Sequence, residues 1–160
     1  MTFTKRHYIS LAALRVSLGM LLVWWGLHRI DAPAKTVGLQ KKFYFELFPS
    51  EALQYAFGYF ELAVGLLVVF GLYRKYAVPA QLMITGFSAA TIWSALLDPF
   101  ALFLPFDKVA SIQHLFYPSV IALAAATFLF LLRDHDRCSL DYLLSQRGKS
   151  NTEEQPVQSV

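Results

Sequence analysis

Three ionisable side chains stand in stretches of sequence that otherwise avoid water. Glu61 opens the apolar run ELAVGLLVVFG, while Arg15 lies within the apolar run before it and Arg29 lies at the end of that run. Charges inside a membrane are costly, so they usually face a protein interior and pair with one another. Such a pair either fixes how helices pack or orients the polar group of a ligand and relays a proton. Glu61 is therefore the first candidate for chemistry, with the two arginines as its possible partners.

The composition supports a membrane setting for these charges. The chain has 160 residues, of which 56% are hydrophobic and 16% are charged, whereas a soluble domain carries about a quarter charged residues. The predicted class is an integral membrane protein in contact with the lipid bilayer. Nucleic-acid binding is not expected, because the basic residues cluster beside apolar segments and form no continuous stripe. The single cysteine, Cys138, excludes an intramolecular disulfide and a dithiol redox pair.

Four stretches are long enough to cross about 30 Å of hydrocarbon as helices. Their predicted bounds are 8–28, 52–73, 76–97 and 109–132. The sequence thus predicts an all-α fold, an integral membrane four-helix bundle. A single membrane domain, 1–146, ends in a short surface helix after the fourth span, and the polar tail 147–160 is expected to be disordered. A further short helix is expected at the membrane interface within 41–55, which mixes lysines with aromatic residues.

Lysine and arginine predict the orientation of the bundle. Basic residues that precede the first span, join the second span to the third and follow the fourth all fall on one side, whereas acidic residues offset those on the other side. The positive-inside rule then predicts that both termini are cytoplasmic. A cleaved signal peptide that ends near Ala32-Pro33-Ala34 is the alternative. It is disfavoured because the apolar stretch is long and a proline occupies the supposed cleavage site.

The first two predicted spans each present one stripe of small and polar residues at helical spacing. These stripes are Arg15, Gly19, Gly26 and Arg29 on the first span, and Gln54, Gly58, Glu61 and Gly65 on the second. Small residues let helix backbones approach closely where no hydrophobic effect drives association. The glycines of both stripes, together with Gly71, are therefore predicted helix-packing positions in the interior of the bundle.

Depth in the membrane distinguishes the two arginines. At about 1.5 Å per residue, Arg15 lies roughly 10 Å from the cytoplasmic edge and Glu61 roughly 18 Å from it. An extended arginine side chain covers much of that difference. Arg29 lies about 13 Å farther outward than Glu61 by the same estimate, although helix tilt or a bridging water can change the choice. Arg15 is therefore the preferred partner of Glu61, and Arg29 is the alternative.

Two segments, RVSLGMLLVWWGLHRI and ELAVGLLVVFGLYRKYA, resemble the DoxX family of small four-helix bacterial membrane proteins. That family tends to show R-x-x-x-G followed by G-x-x-K, and later a glutamate, two glycines and a basic turn. The positions that match are Arg15, Gly19, Gly26, Arg29, Glu61, Gly65 and Gly71, with Arg29 where lysine is usual. The resemblance covers the first three spans well and the fourth loosely. It implies a multi-pass protein of the bacterial inner membrane.

The resemblance implies less about the reaction than about the fold. Some DoxX-like proteins are membrane subunits of quinone-linked oxidoreductases, notably thiosulfate:quinone oxidoreductase, and others are linked to membrane complexes that handle oxidative or thiol stress. A quinone site needs an apolar slot, one or two hydrogen-bonding groups and a proton carrier. Glu61, Arg29, His114 and Tyr117 are the candidate lining residues of such a pocket. The alternative places His114 at the membrane interface as a cap on the fourth span.

Neither a metal site nor haem ligation is predicted, because His28 lies away from the face that carries Arg15 and Arg29. No covalently bound cofactor is expected either. Cys138 is expected to be a free buried thiol, with a lipidated or reactive cysteine as the alternative. The sequence identifies no catalytic residue and no substrate.

Three functions remain open from the sequence. The first is a membrane subunit of an oxidoreductase complex, which contacts quinone while soluble partner subunits supply the redox centres. The second is a small transporter or channel-like protein that uses the interior around Arg15 and Glu61 as a polar pathway, acting mainly as a homo-oligomer. The third is a structural membrane anchor or assembly factor without chemistry of its own.

Overall fold

The computed structural model of the protein describes residues 4–43, 49–92 and 117–153. Within these ranges it contains helices, turns and short connections but no strand, which confirms the predicted all-α fold. The helices are α1 (Lys5–Asp31), α2 (Pro33–Phe43), α3 (Glu51–Phe70), α4 (Arg74–Thr91), α5 (Tyr117–Leu132) and α6 (Leu140–Glu153), with a 3₁₀ turn at Arg133–His135.

Four of the helices pack side by side as a bundle. Helix α1 contacts α3 and α5, and α4 contacts the same two helices from the other side. These four correspond to the four predicted spans. The outer part of the third span, 93–97, and the start of the fourth, 109–116, lie outside the described residues.

Three described stretches are long and apolar enough to cross a membrane. They are Lys5–Asp31, Glu51–Phe70 and Pro118–Arg147, the last of which continues past α5 into α6. Helix α4 is not among them, because its 18 described residues include Arg74, Lys75 and Gln81.

The polarity of the bundle is the inverse of that of a soluble protein. Large apolar side chains such as Trp24, Met83 and Leu131 are 71%, 69% and 67% exposed. In water such a surface would promote aggregation, whereas acyl chains solvate it. The interior contains two small apolar clusters. Leu18, Val78, Ala126 and Leu129 form one, and Leu22, Val64, Val68 and Ala77 form the other.

Glycines bring α1 and α3 into backbone contact. A β-carbon on Gly19 would lie 2.9 Å from the carbonyl oxygen of Gly65, and one on Gly65 would lie 2.8 Å from that of Gly19. A β-carbon on Gly26 would likewise lie 2.7 Å from the carbonyl oxygen of Gly58, and one on Gly58 would lie 3.0 Å from that of Gly26. No larger residue fits at these crossings without moving the helices apart. The two pairs also fix the antiparallel register of α1 against α3.

Gly71 ends α3 and allows the tight turn into α4. Its φ of 67° is in the left-handed region, which residues with a side chain rarely adopt. The N–H of Leu72 donates to the carbonyl oxygen of Leu67 at 2.9 Å and so closes the last turn of α3. A β-carbon on Gly71 would lie 2.6 Å from the β-carbon of Ser139 and 2.8 Å from Nη1 of Arg15. Both its backbone conformation and its surroundings therefore require glycine.

Two short helices differ from their predicted positions. Helix α2 spans Pro33–Phe43, earlier than the interface helix predicted within 41–55; residues 44–48 of that segment lie outside the described residues. Pro33 explains the early start, since proline suits the first turn of a helix. Helix α6 runs to Glu153, past the predicted start of a disordered tail at 147. Once a helix has formed, each further residue adds at little cost, and no proline follows until Pro156.

Candidate functional site

The bundle interior contains a compact polar group, here called the Arg29 cluster, made of Arg29, Gln54 and Glu61. Nε of Arg29 donates to Oε2 of Glu61 at 2.7 Å, and Nη1 donates to Oε1 of Gln54 at 2.7 Å. The Glu61 and Arg29 side chains are only 4% and 11% exposed, and Gln54 is fully buried. The guanidinium carbon of Arg29 also lies 4.9 Å from the centre of the Phe57 ring. Glu61 is thus held by a charge-assisted hydrogen bond in apolar surroundings.

The prediction that Arg15 is the partner of Glu61 was wrong, since the structure pairs Glu61 with Arg29. The glycine crossings show why: they place Arg15 level with Val69 and Arg29 level with Tyr55. Glu61 is eight residues from the first level and six from the second, or about 12 Å and about 9 Å along α3.

The direction of the side chains adds to this difference in register. Helical side chains lean toward the N-terminus of their own helix. In an antiparallel pair, Arg29 and Glu61 therefore lean toward each other, whereas Arg15 leans away from Glu61. The estimate of depth along the membrane normal ignored both effects.

The Arg29 cluster retains unused hydrogen-bonding capacity. Within the described part of the chain, neither Nη2 of Arg29 nor Oε1 of Glu61 makes a hydrogen bond. One is a donor and the other an acceptor, and the two residues are already joined through their neighbouring atoms. A ligand that carries both an acceptor and a donor on an otherwise apolar body matches this pair.

Arg15 belongs to a second polar group, the Arg15 cluster, at the other end of α1 and α3. Its Nε donates to Oδ2 of Asp136 at 2.7 Å, and Nη2 donates to the carbonyl oxygen of Cys138 at 3.2 Å. Its Nη1 donates to the carbonyl oxygens of Val68, at 2.9 Å, and Val69. These carbonyls belong to the last turn of α3, where helical carbonyls run short of N–H partners, although that of Val68 also accepts from the N–H of Gly71 at 3.1 Å. Arg15 therefore caps α3 and ties it to the segment after α5.

The segment after α5 also caps α4. The carboxylate of Asp141 accepts hydrogen bonds from the backbone N–H groups of Tyr73 and Arg74, at 3.1 Å and 2.9 Å, at the N-terminus of α4. Nη1 of Arg74 donates to the carbonyl oxygens of Arg133 and Asp136. An acidic side chain is favourable at a helix N-terminus because it meets unpaired N–H groups and the positive end of the helix dipole. Four side chains therefore connect the ends of the helices to the segment after α5: Arg15, Arg74, Asp136 and Asp141.

Gln81 is the third polar feature of the interior. It lies on α4, is 1% exposed, and neither its Nε2 nor its Oε1 has a hydrogen-bond partner among the residues that the structure describes. The hydroxyl of Thr85 donates to the backbone carbonyl of Gln81 at 2.5 Å and does not contact the side-chain amide. An unpaired buried amide is unfavourable by about 1–3 kcal/mol.

The remaining candidate residues lie outside the Arg29 cluster or outside the residues that the structure describes. His114 lies outside the described residues, and Tyr117 begins α5 although its side chain is not described. The ring of His28 packs edge-on against Trp25, with 5.9 Å between ring centroids. Cys138 is a free cysteine, exposed rather than buried as expected, whose backbone joins the Arg15 cluster. Among the described residues, no group of three or more His, Cys, Asp or Glu side chains is placed to hold a metal ion.

Sequence reasoning overlooked Asp136 and Asp141. Both lie in RDHDRCSLD, a segment whose arginines indicate orientation and whose end predicts a surface helix. The available signal was the place of this acidic segment in the sequence. It follows the end of a span, at the end of the bundle where Arg15 needs a partner. Gln54 was assigned to the polar stripe of its span, but its acceptor role toward Arg29 was not foreseen.

Comparison with known proteins identifies the family of the chain. The DoxX family model matches residues 10–96, which is more than half of the chain and includes α3, α4 and all of α1 but its first five residues. No curated protein and no solved structure matches the chain. The matched region contains Arg15, Arg29, Glu61 and all four glycines of the α1–α3 crossings. The chain belongs to the DoxX family and is a membrane protein.

Proposed function

We propose that this chain is the membrane subunit of an oxidoreductase complex and that it contacts quinone at the Arg29 cluster. Soluble partner subunits supply the redox centres, and this chain supplies the binding site within the bilayer. The observation that carries the proposal is the unused donor on Arg29 beside the unused acceptor on Glu61. A quinone carbonyl would accept from Nη2 of Arg29. After the quinone has gained two electrons from the partner and two protons, a hydroquinone hydroxyl would donate to Oε1 of Glu61.

The surroundings of the cluster support an amphipathic ligand rather than a soluble one. Phe57 lies against the Arg29 guanidinium, and α1 carries the exposed Trp24 and Trp25 within two turns of Arg29. An apolar slot with few polar groups is typical of sites for small hydrophobic ligands. The inner membrane, where quinone dissolves, is the proposed location.

Binding of a short-chain quinone to the purified protein in detergent tests the site. Quenching of tryptophan fluorescence reports binding. We expect Glu61→Gln to weaken binding of the reduced form, the hydroquinone, about 10- to 100-fold, because its hydroxyl donates to the Glu61 carboxylate and a hydrogen bond to a charged group contributes about 1.5–3 kcal/mol. Glu51→Gln is the matched control, since it makes the same change at an exposed position of the same helix.

Loss of folding must be separated from loss of binding in this test. The double variant Arg29→Gln, Glu61→Gln removes both charges and leaves no unpaired ion, so we expect it to stay folded. Its thermal midpoint is measured alongside quinone binding. A folded double variant that binds quinone as tightly as the parent would remove the Arg29 cluster from the proposal.

Co-purification tests the proposed complex. Extraction in a mild detergent, followed by identification of the associated proteins and lipids, should recover soluble redox subunits and quinone with this chain. Recovery of the chain alone, without quinone, would argue against the proposal.

A structural anchor is the second candidate, and the Arg15 cluster favours it. There Arg15 donates to Asp136, in the segment after α5, and to the end of α3. These hydrogen bonds lie entirely within the protein. Such an anchor would lose stability but no binding activity when its charges are removed. A stable double variant of Arg29 and Glu61 that no longer binds quinone would count against it.

A further inference from the structure

Helix α6 carries an apolar face that the bundle leaves uncovered. Leu140, Leu143 and Leu144 are 39%, 52% and 57% exposed. Their spacing of three and four residues places them on one side of the helix. Arg147 continues the same side one turn later and is also exposed.

The helix is attached to the bundle only near its start. Ser139 is buried just before it, and Asp141 and Tyr142 are half-buried in its first turn, but all residues from 143 to 147 are exposed. An isolated helix of about this length is marginal in water. Its exposed leucines therefore need a covering surface to stabilise it.

The position of α6 identifies that surface. Asp141 binds the N-terminus of α4, and Asp136 binds Arg15 on α1, so α6 begins at the end of the membrane bundle. The chain also leaves α5, a membrane-spanning segment, only eight residues before α6 begins. The leucines consequently lie just beyond the last turn of a membrane-spanning segment, at the end of the bundle.

The charges at this end of the bundle are predominantly basic. The exposed cations are Lys5, Arg6, Lys75, Arg137 and Arg147, and Asp134 is the one exposed acidic side chain in the described residues of the same end. The guanidinium of Arg137 lies 5.1 Å from the ring of Tyr8, which joins the two chain termini at this end. Each such cation near an anionic membrane surface adds to its attraction for the membrane.

We propose that α6 is an in-plane membrane helix that inserts its leucine face among anionic lipids, with Arg147 at the headgroups. The long stem of Arg147 allows its charge to reach the headgroups from the edge of the apolar face. Amphipathic helices of this kind lie parallel to the membrane surface with the apolar face just below the headgroups. This surface is separate from the Arg29 cluster, so the inference does not depend on quinone binding.

Site-specific fluorescence in the full-length protein tests the proposal. Cys138 is the sole native cysteine and its thiol is exposed, so Cys138→Ser provides a background for single labels. An environment-sensitive dye is attached at Leu144→Cys on the apolar face. The matched control is Ser145→Cys, which is exposed and lies about 140° from Leu140 around the helix. Each protein is placed, one copy per nanodisc, in phosphatidylcholine alone or mixed with phosphatidylglycerol.

The expected result is a blue-shifted emission at position 144 and quenching of that dye by lipids that carry a spin label on the acyl chain. Quenching by aqueous iodide should be several-fold weaker at 144 than at 145. The difference should grow with phosphatidylglycerol and shrink in Arg147→Gln or at high salt.

Three outcomes would overturn the proposal. Equal access of iodide to positions 144 and 145 would leave the face open for a soluble partner instead. Protection that appears only with two or more copies per nanodisc would assign the face to a second copy of the chain. Equal protection in both lipid mixtures would exclude recognition of anionic headgroups.

Discussion

Arg15 and Arg29 lie on one face of the same helix, yet their surroundings assign them different roles. Arg15 donates to Asp136 and to three backbone carbonyl oxygens, all within the protein. Arg29 donates to Glu61 and Gln54 and keeps a free donor in the described structure. A satisfied arginine stabilises the fold, whereas an arginine with a remaining donor can also bind a ligand. Both side chains lean toward the N-terminus of α1. Arg15 therefore leans toward the end of the bundle, whereas Arg29 leans into the bundle and meets different neighbours.

Gln81 allows a prediction at the same scale. Because its buried amide has no partner in the described part of the chain, we expect Gln81→Met to raise the free energy of unfolding by about 1 kcal/mol or more, as removal of an unpaired buried polar group does. Unfolding in detergent by heat or denaturant measures the change. Gln54→Met is the matched control and should destabilise, since Gln54 accepts a hydrogen bond from Arg29. Destabilisation by both variants to the same extent would show that Gln81 has a partner.

At the scale of elements, the pair of α1 and α3 is the rigid centre of the bundle. Its helices touch backbone to backbone at two crossings, so packing there depends on glycine rather than on apolar side chains. This close contact fixes the register, and the register brings Arg29 within reach of Glu61. The polar site is therefore a consequence of the glycine crossings.

Gly26→Ala tests this dependence. Its β-carbon would lie 2.7 Å from the carbonyl oxygen of Gly58, so the helices must separate and the protein should lose about 1–3 kcal/mol of stability. Gly38→Ala is the matched control in helix α2, where a β-carbon has nothing within 4 Å. There alanine should stabilise by about 0.5–1 kcal/mol through its higher helix propensity. Equal effects at Gly26 and Gly38 would mean that α1 and α3 do not touch at this crossing.

The helices were predictable from the sequence to a greater extent than the contacts between them. Apolar length identified α1 and α3 to within three residues at each end, and the stripe of Gly58, Glu61 and Gly65 identified the buried face of α3. The partner of Arg15 was not predictable in the same way. Asp136 comes from a polar segment that folds back against the bundle, and hydrophobic periodicity contains no information about that return.

At the scale of the whole molecule, the first helix and the segment after α5 meet at one end of the bundle. Arg15 near the start binds Asp136 near the end, and Arg137 lies over Tyr8. The exposed lysines and arginines at this end agree with the positive-inside rule, which places them in the cytoplasm. This orientation is the one that the sequence predicts, and it stays a prediction.

The native thiol offers a direct test of orientation. Cys138 is exposed at the basic end, so a membrane-impermeant maleimide should label it only after the inner membrane of the cells has been opened. Glu51→Cys in a Cys138→Ser background lies at the opposite end and should react in intact spheroplasts. Labelling of Cys138 from outside would reverse the orientation.

The central claim is that Glu61 pairs with Arg29 inside the bundle, and a pair of double-mutant cycles measures it most directly. Free energies of unfolding in detergent are determined for Glu61→Gln combined with Arg29→Gln and, separately, with Arg15→Gln. Since residues in contact couple and distant ones add, we expect a coupling of about 1–3 kcal/mol for Arg29 and less than about 0.5 kcal/mol for Arg15. A larger coupling of Glu61 to Arg15 than to Arg29 would contradict the account.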